Sequence, residues 1–413
     1  MILIAFLVAA QITTIADPGN GPLGLTLDAA YSHLREDTRI TRERSTPAGI
    51  VLGDELQHTR TLDELELRLA VAPLRDLELH IIAPYALRDL QEWYGLAGGT
   101  LATNTIDVSG CAAPGSCTTP QPIGVVPGQS TRSGFFDPSI GFIWRVVDGQ
   151  RRGSPDPLPG STPAATWVVG LDYTVPLGGK VDDPTRTVNA TGRPEQRQAH
   201  VLTAWTAFSK RLKSIEPYLK VEGSAPIPTG KAYDNCQHPE LLADVATANC
   251  AGAWKGDTGY RPPFEAALTG GAEIVAFEDR RQDRRFSFDL RLGVRWHGVS
   301  RGYTQVTDLL AKLTYADEYL TGVGQLAFYG RISRWLNVRV TGLLGMDTAH
   351  FLTHEDVGED KNHDGFISIS QGTGAPAPDQ NPNYDFRLDQ PGRRLRAEPS
   401  LFWGVSGTLS VSF

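Results

Sequence analysis

Asp360, Asn362 and Asp364 stand at alternate positions of a short acidic stretch that runs on through Gly365, Phe366 and Ser368 and is preceded by Glu355, Asp356 and Glu359. Side-chain oxygens at the first, third and fifth places, a glycine at the sixth and a backbone carbonyl at the seventh are the donor spacing of a calcium-binding loop. The twelfth place holds Gln371 instead of a bidentate glutamate, and no helical pattern flanks the stretch. The expectation is weak calcium binding in an exposed loop, with Asp360, Asn362, Asp364, Phe366 and Ser368 as ligands; the same residues also read as plain solvated acidic surface.

A second set of charged residues falls on one face of alternating segments. Glu64, Glu66, Arg68, Glu78, His80, Asp172, Asp289, Arg291, Arg295 and Arg339 are in phase with one another, as are Asp28, His200, Lys210, Lys220, Glu222, His297, Gln325 and Tyr329. Charges of both signs on one face suit a water-filled lumen or a network that closes it. The motifs of nucleotide hydrolysis, zinc proteolysis and serine hydrolysis are missing: there is no Gly-x-x-x-x-Gly-Lys-Ser/Thr, no His-Glu-x-x-His and no Gly-x-Ser-x-Gly. No enzyme activity is expected. Transport or architecture is.

The elements that carry these residues are strands. Around Arg291, the run Phe286, Phe288, Leu290, Leu292, Val294, Trp296 alternates with Ser287, Asp289, Arg291, Arg295 and His297. A period of two puts every apolar residue on one face and every polar one on the other. The same pattern predicts about twelve strands, near 22–34, 59–72, 76–87, 135–147, 165–177, 198–211, 216–226, 263–278, 284–298, 318–331, 335–348 and 395–413. Turns near 73–75, 212–215, 279–283 and 332–334 are short; the segments 35–58, 88–134, 178–197, 227–262, 299–317 and 349–394 are long, and 148–164 is intermediate.

Composition agrees. With 43 Gly, 28 Pro and 2 Met in 413 residues, a helix-rich soluble enzyme is disfavoured. Short connections at one end and long ones at the other are the asymmetry of an outer-membrane barrel rather than of a soluble sandwich. The expected fold is all-β: a transmembrane antiparallel β-barrel of about twelve strands, short turns periplasmic and long loops extracellular, in the outer membrane of a Gram-negative bacterium. Tyr31, Tyr85, Trp144, Trp167, Tyr173, Trp205, Trp296, Trp335 and Trp403 fall near the ends of the apolar faces, as aromatic girdles do. The net charge of -8 carries no basic stripe, so nucleic acid is not an expected partner.

Ile2 to Ala10 is an apolar run followed by small-residue sites at Ala10 and Ala16, so residues 1–16 read as a signal peptide and 17–413 as one barrel domain. In an exported chain, Cys111 with Cys117 and Cys236 with Cys250 read as loop disulfides; pairing within each loop is the simplest of three connectivities. Phe413 closes a final alternating strand and reads as the assembly signal for the barrel-assembly machinery.

The stretches Leu77 to Ile81, Phe136 to Ile143, Trp167 to Gly179 and His200 to Glu222, with the closing strand, resemble outer-membrane channels of the phenol-degradation meta-pathway family, relatives of the long-chain fatty-acid transporters. That resemblance implies a channel or facilitator for small, hydrophobic solutes with the inner face as pathway. The alternative is a non-enzymatic component of a secretion, polysaccharide-export or envelope machine, whose cargo would be an exported polymer.

Overall fold

The computed structural model describes residues 24–95, 105, 128–147, 165–177, 191–192, 199–229, 234–237, 249–250, 254, 257–279, 281–369 and 377–413. The expected leader at 1–16 and the pair Cys111 and Cys117 lie outside the described residues.

Twelve long antiparallel strands close into one barrel: β1 (Gly24–Thr46), β2 (Gly49–Leu74), β3 (Leu77–Gly95), β4 (Ser139–Val147), β5 (Ala165–Thr174), β6 (Ala199–Lys210), β7 (Ile215–Pro228), β8 (Glu265–Asp279), β9 (Arg284–His297), β10 (Tyr319–Ser333), β11 (Leu336–Asp347) and β12 (Ser400–Ser412). Closure comes from β12 pairing with β1, in register from Thr26 opposite Ser412 to Asp37 opposite Leu401. Every strand then has two neighbours, and no edge is left to face a solvent that cannot hydrogen-bond it.

The twelve expected strands are all present, but the segment 35–58 is no loop. β1 and β2 continue through it as a tall hairpin that turns only at residues 47–48, with a bulge at Ile40 and Thr41. The reason is burial at its inner face, where Ile40 and Leu56 sit under the outer loops. A second departure is the expected strand 135–147, which is interrupted. A separate strand, Gln129–Phe135, lies almost wholly in the segment 88–134 read as loop and pairs with the upper half of β3, which itself runs on to Gly95, while β4 pairs with the lower half. Pro84 and Pro138 lie at the break and have no amide hydrogen to give. Their carbonyls still serve, Pro84 accepting from the Phe136 amide at 3.0 Å and Pro138 from the Val175 amide at 2.8 Å. The last expected strand is likewise divided, into Leu395–Ala397 and β12.

Outer loops fold over one end of the barrel as a lid. Segment 298–318 contributes two short strands, Ser300–Gly302 and Thr314–Ala316, and a single helical turn, α1 (Thr307–Leu310). Val306, Leu309 and Leu310 pack with Leu352, Leu388 and Leu395 of segment 348–399 onto Ile40, Leu56 and Trp93 of the wall. That cluster is the apolar core of the lid. It ties loops to strands by burial rather than by chain connection.

Candidate functional site: the barrel lumen

Outward from the wall the side chains are apolar and uncovered. On β9, Leu290 and Leu292 are 54% and 66% exposed while Asp289 and Arg291 between them are 6% and 5% exposed. The same outward set recurs as Leu27, Leu69, Ile81, Phe142, Leu202, Val221, Leu268, Leu326, Leu344 and Val405. From Phe286 to Trp296 the apolar face spans the about 9–11 residues that a tilted strand needs to cross a bilayer. Leaving such a belt in water would cost far more than any fold recovers, so its solvent is lipid. The chain is a membrane-spanning β-barrel.

Inward, the ten charged residues expected at the lumen all point there. Arg68 on β2 bridges Asp28 on β1 at 2.8 Å and Glu78 on β3. His80 lies 3.3 Å from Glu78 and 2.7 Å from Asp172 on β5. This last contact passes over β4, and Gly141 makes it possible, because a Cβ there would collide with both partners. Trp205 on β6 donates its indole hydrogen to Asp172 at 2.9 Å, and the Lys220 ammonium sits 4.7 Å over the Trp205 ring. Lys220 also reaches Glu222 at 2.6 Å, and Arg295 forks between Glu222 at 2.8 Å and Glu265 at 2.9 Å. The contacts therefore run round the inner wall from β1 to β9 as one chain. A separate knot forms on Asp289, which takes Arg291 at 2.7 Å and Arg339 at 3.4 Å.

Three expected positions differ. His200 and Lys210 face outward, since they share the phase of Leu202 and Phe208 on β6. Trp205 faces inward instead of joining a girdle, because it is one residue out of step with those two. In a strand a one-residue offset reverses the face.

Above the charged chain lies an apolar strip. Val323, Leu343, Phe402, Leu34, Leu62 and Ala86 come from the six consecutive strands β10, β11, β12, β1, β2 and β3, and Phe136 joins them. Gly345 leaves room for the Phe402 ring, which a side chain at that position would strike.

Above the strip is a cavity of about 140 Å³ in the middle of the lumen. Leu34, Leu62, Val201 and Pro226 give it apolar wall, and Glu36, His58, Arg60, Glu265 and Asp347 give it polar wall. Tyr319 lines it too, stacked between His297 at 4.4 Å and His350 at 4.1 Å. The lid is its roof, through Ser300, Gly302, Tyr303, Thr304 and Gln305. Sequence reasoning missed this chamber. His58 and His350 fall in segments read as loops, and nothing local marks Gln305 as a roof.

The lid is anchored by buried polar contacts. Asp308 of α1 accepts from Ser130 at 2.7 Å and pairs with Arg132. Trp93 donates to the Gln305 carbonyl at 2.9 Å. Cys236 and Cys250 form the expected disulfide, with Cα atoms 5.5 Å apart. The residue before each half-cystine holds the lid. Asn235 donates to the Leu313 carbonyl at 3.0 Å, and Asn249 to the Ala377 and Gln380 carbonyls at 2.6 and 2.7 Å.

The acidic stretch lies at the lid's outer surface. Asp360 accepts from the amides of Asp364 and Gly365 at 3.1 and 2.9 Å, Asn362 donates to Asp364 at 2.8 Å, and Asp364 accepts from the Phe366 amide at 2.9 Å. Ser368 donates its amide to Asp379 at 2.9 Å. The expected ligands are thus gathered in one turn, but their oxygens serve the turn's own amides. Among the described residues no three His, Cys, Asp or Glu side chains assemble as a metal-holding group.

The sequence matches no family model and no curated protein. Among solved structures it is similar to an outer membrane channel from Pseudomonas putida F1, with 12% identity over 97% of this chain and 100% of that one and a TM-score of 0.45. A FadL homologue from Pseudomonas aeruginosa aligns at 9% identity over 98% and 96%, with a TM-score of 0.35. The outer membrane protease OmpT from Escherichia coli aligns at 9% identity over 98% and 100%, with a TM-score of 0.29. Similarities this loose fix neither a family nor a solute.

Proposed function

We propose that the protein is an outer-membrane channel for small solutes with substantial apolar surface, held closed at rest by its lid. The observation that carries this reading is the lidded cavity in the lumen, half apolar and half polar, at about 140 Å³. That volume is close to the roughly 150 Å³ that accepts one benzene-sized molecule in a protein interior. What the barrel offers there is a wall that exchanges water for Leu34, Leu62 and Val201 around the solute, with Glu36, His58 and Asp347 for a polar group.

Uptake into proteoliposomes tests the reading. A benzene-sized solute such as benzyl alcohol should enter faster than into protein-free vesicles after correction for passive leak, and Val201→Trp, which fills the cavity, should remove the difference. Equal rates with and without protein would defeat the proposal, as would a Val201→Trp channel that works as well as the original.

A further inference from the structure

On the inner face of β2, Glu64 and Glu66 follow each other with one residue between them, so their Cα atoms are about 7 Å apart at the strand's rise. Glu64 is 1% exposed, and neither of its carboxylate oxygens has a hydrogen-bond partner. The neighbouring guanidiniums are engaged elsewhere. Arg68 holds Asp28 and Glu78, and Arg60 holds both oxygens of Asp89 at 2.8 and 2.7 Å. Directly beside Glu64 in the ladder is Ser32 on β1, and directly beside Ser32 is Ser406 on β12. Ser406 is 5% exposed, and its hydroxyl oxygen is also without a partner.

We infer that Glu64 and Glu66 form a lumen site for one bare divalent cation, completed by the hydroxyl oxygens of Ser32 and Ser406. A carboxylate removed from water needs a compensating charge, and no guanidinium or ammonium is bonded to either oxygen of Glu64. A proton is a poor occupant. It cancels the charge but turns one oxygen into a buried O–H donor and leaves the lone pairs of the other without a donor. A hydrated ion or an organic ammonium is too large, because these oxygens are closed to a water-sized neighbour. Calcium or magnesium bonds oxygen at about 2.0–2.6 Å, inside hydrogen-bond distance, and takes carboxylates and hydroxyls readily. One such ion balances two carboxylates.

The test uses the whole barrel, purified in detergent, stripped with a chelator and titrated with calcium and then with magnesium while Tm is followed. The outer acidic turn is silenced with D360A/D364A so that any response belongs to the lumen. The expected result is a Tm that climbs with the logarithm of cation concentration in D360A/D364A and stays flat when E64Q/E66Q is added. In chelator the E64Q/E66Q protein should be the more stable of the two, since an unbalanced charge pair has gone. Should that variant not fold, Ser406→Ala keeps both charges and should shift the titration to higher cation concentration while leaving Tm in chelator unchanged. A response that survives E64Q/E66Q, a Ser406→Ala titration that superimposes on its parent, or a stripped protein that ignores cations and is instead stabilised by acid would each overturn the site.

Discussion

At the scale of single residues, the two faces of β9 make a sharp comparison. Leu290→Arg places a charge in hydrocarbon and should destabilise the barrel by about 2–4 kcal/mol. Sequence alone suggests that Arg291→Leu is harmless, because lumens tolerate exchange. The structure changes that expectation: Arg291 is buried and bonded to Asp289, so its loss leaves a carboxylate with only part of its partners, at a cost of about 1–3 kcal/mol. Urea unfolding in detergent measures both, and a Leu290→Arg protein as stable as the parent would contradict the outward assignment. For the acidic turn we expect calcium, at about 10⁻⁴ to 10⁻³ M, to protect residues 357–369 from protease, and D360A/D364A to abolish the protection. Cleavage indifferent to calcium would leave the turn as solvated surface. Facing was readable in the sequence wherever the alternation was long, as from Phe286 to His297. It failed on β6, at His200, Lys210 and Trp205, where residue type suggested a lumen or a girdle and phase, the better guide, did not.

At the scale of elements, strands were legible and the lid was not. Strand periodicity is local, whereas α1 is four residues held by contacts with Ser130, Arg132 and Trp93, all more than 170 residues away in the chain. No window of sequence contains both sides of such a contact. The tall β1–β2 hairpin was read as loop for the same reason, since Ile40 and Leu56 in its upper half are buried by contacts with the lid that no local pattern shows. The lid also carries a pH dependence. Asp389 accepts from the Glu355 and Asp385 amides at 3.0 and 2.8 Å, and burial, with the charge of Glu355, pushes its carboxyl up to about 7 against the pull of Lys312. An acid whose pKa is raised on folding contributes stability that is complete below its unfolded value and is lost as pH climbs through the folded one. Burial pushes Asp385 upward too, but Lys312 and Arg387 outweigh it and hold its carboxyl below the ordinary range, so its contribution fades only in stronger acid. Hydrogen-exchange protection of segment 377–397 should therefore fall between about pH 4 and pH 7, and Asp389→Asn should flatten the profile. Protection that rises with pH in the parent would reverse the sign and refute the assignment.

At the scale of the molecule, one barrel is divided along its axis into zones of different chemistry: a charged chain from Asp28 to Arg295, an apolar strip from Val323 to Ala86, a mixed cavity, and a lid. The barrel was predictable because closure follows from an even set of alternating strands with unequal connections. The zoning was not, because each zone is assembled from strands far apart in sequence, and only the register decides which side chains share a level. Single-channel recording in a planar bilayer tests the central claim most directly, by comparing the native protein with Leu309→Ser/Leu310→Ser, which removes the apolar grip of α1 on Ile40, Leu56 and Trp93. The lidded channel predicts rare, brief openings for the native protein and long-lived conductance for the variant. A native protein that conducts steadily, or a variant as silent as its parent, would contradict it.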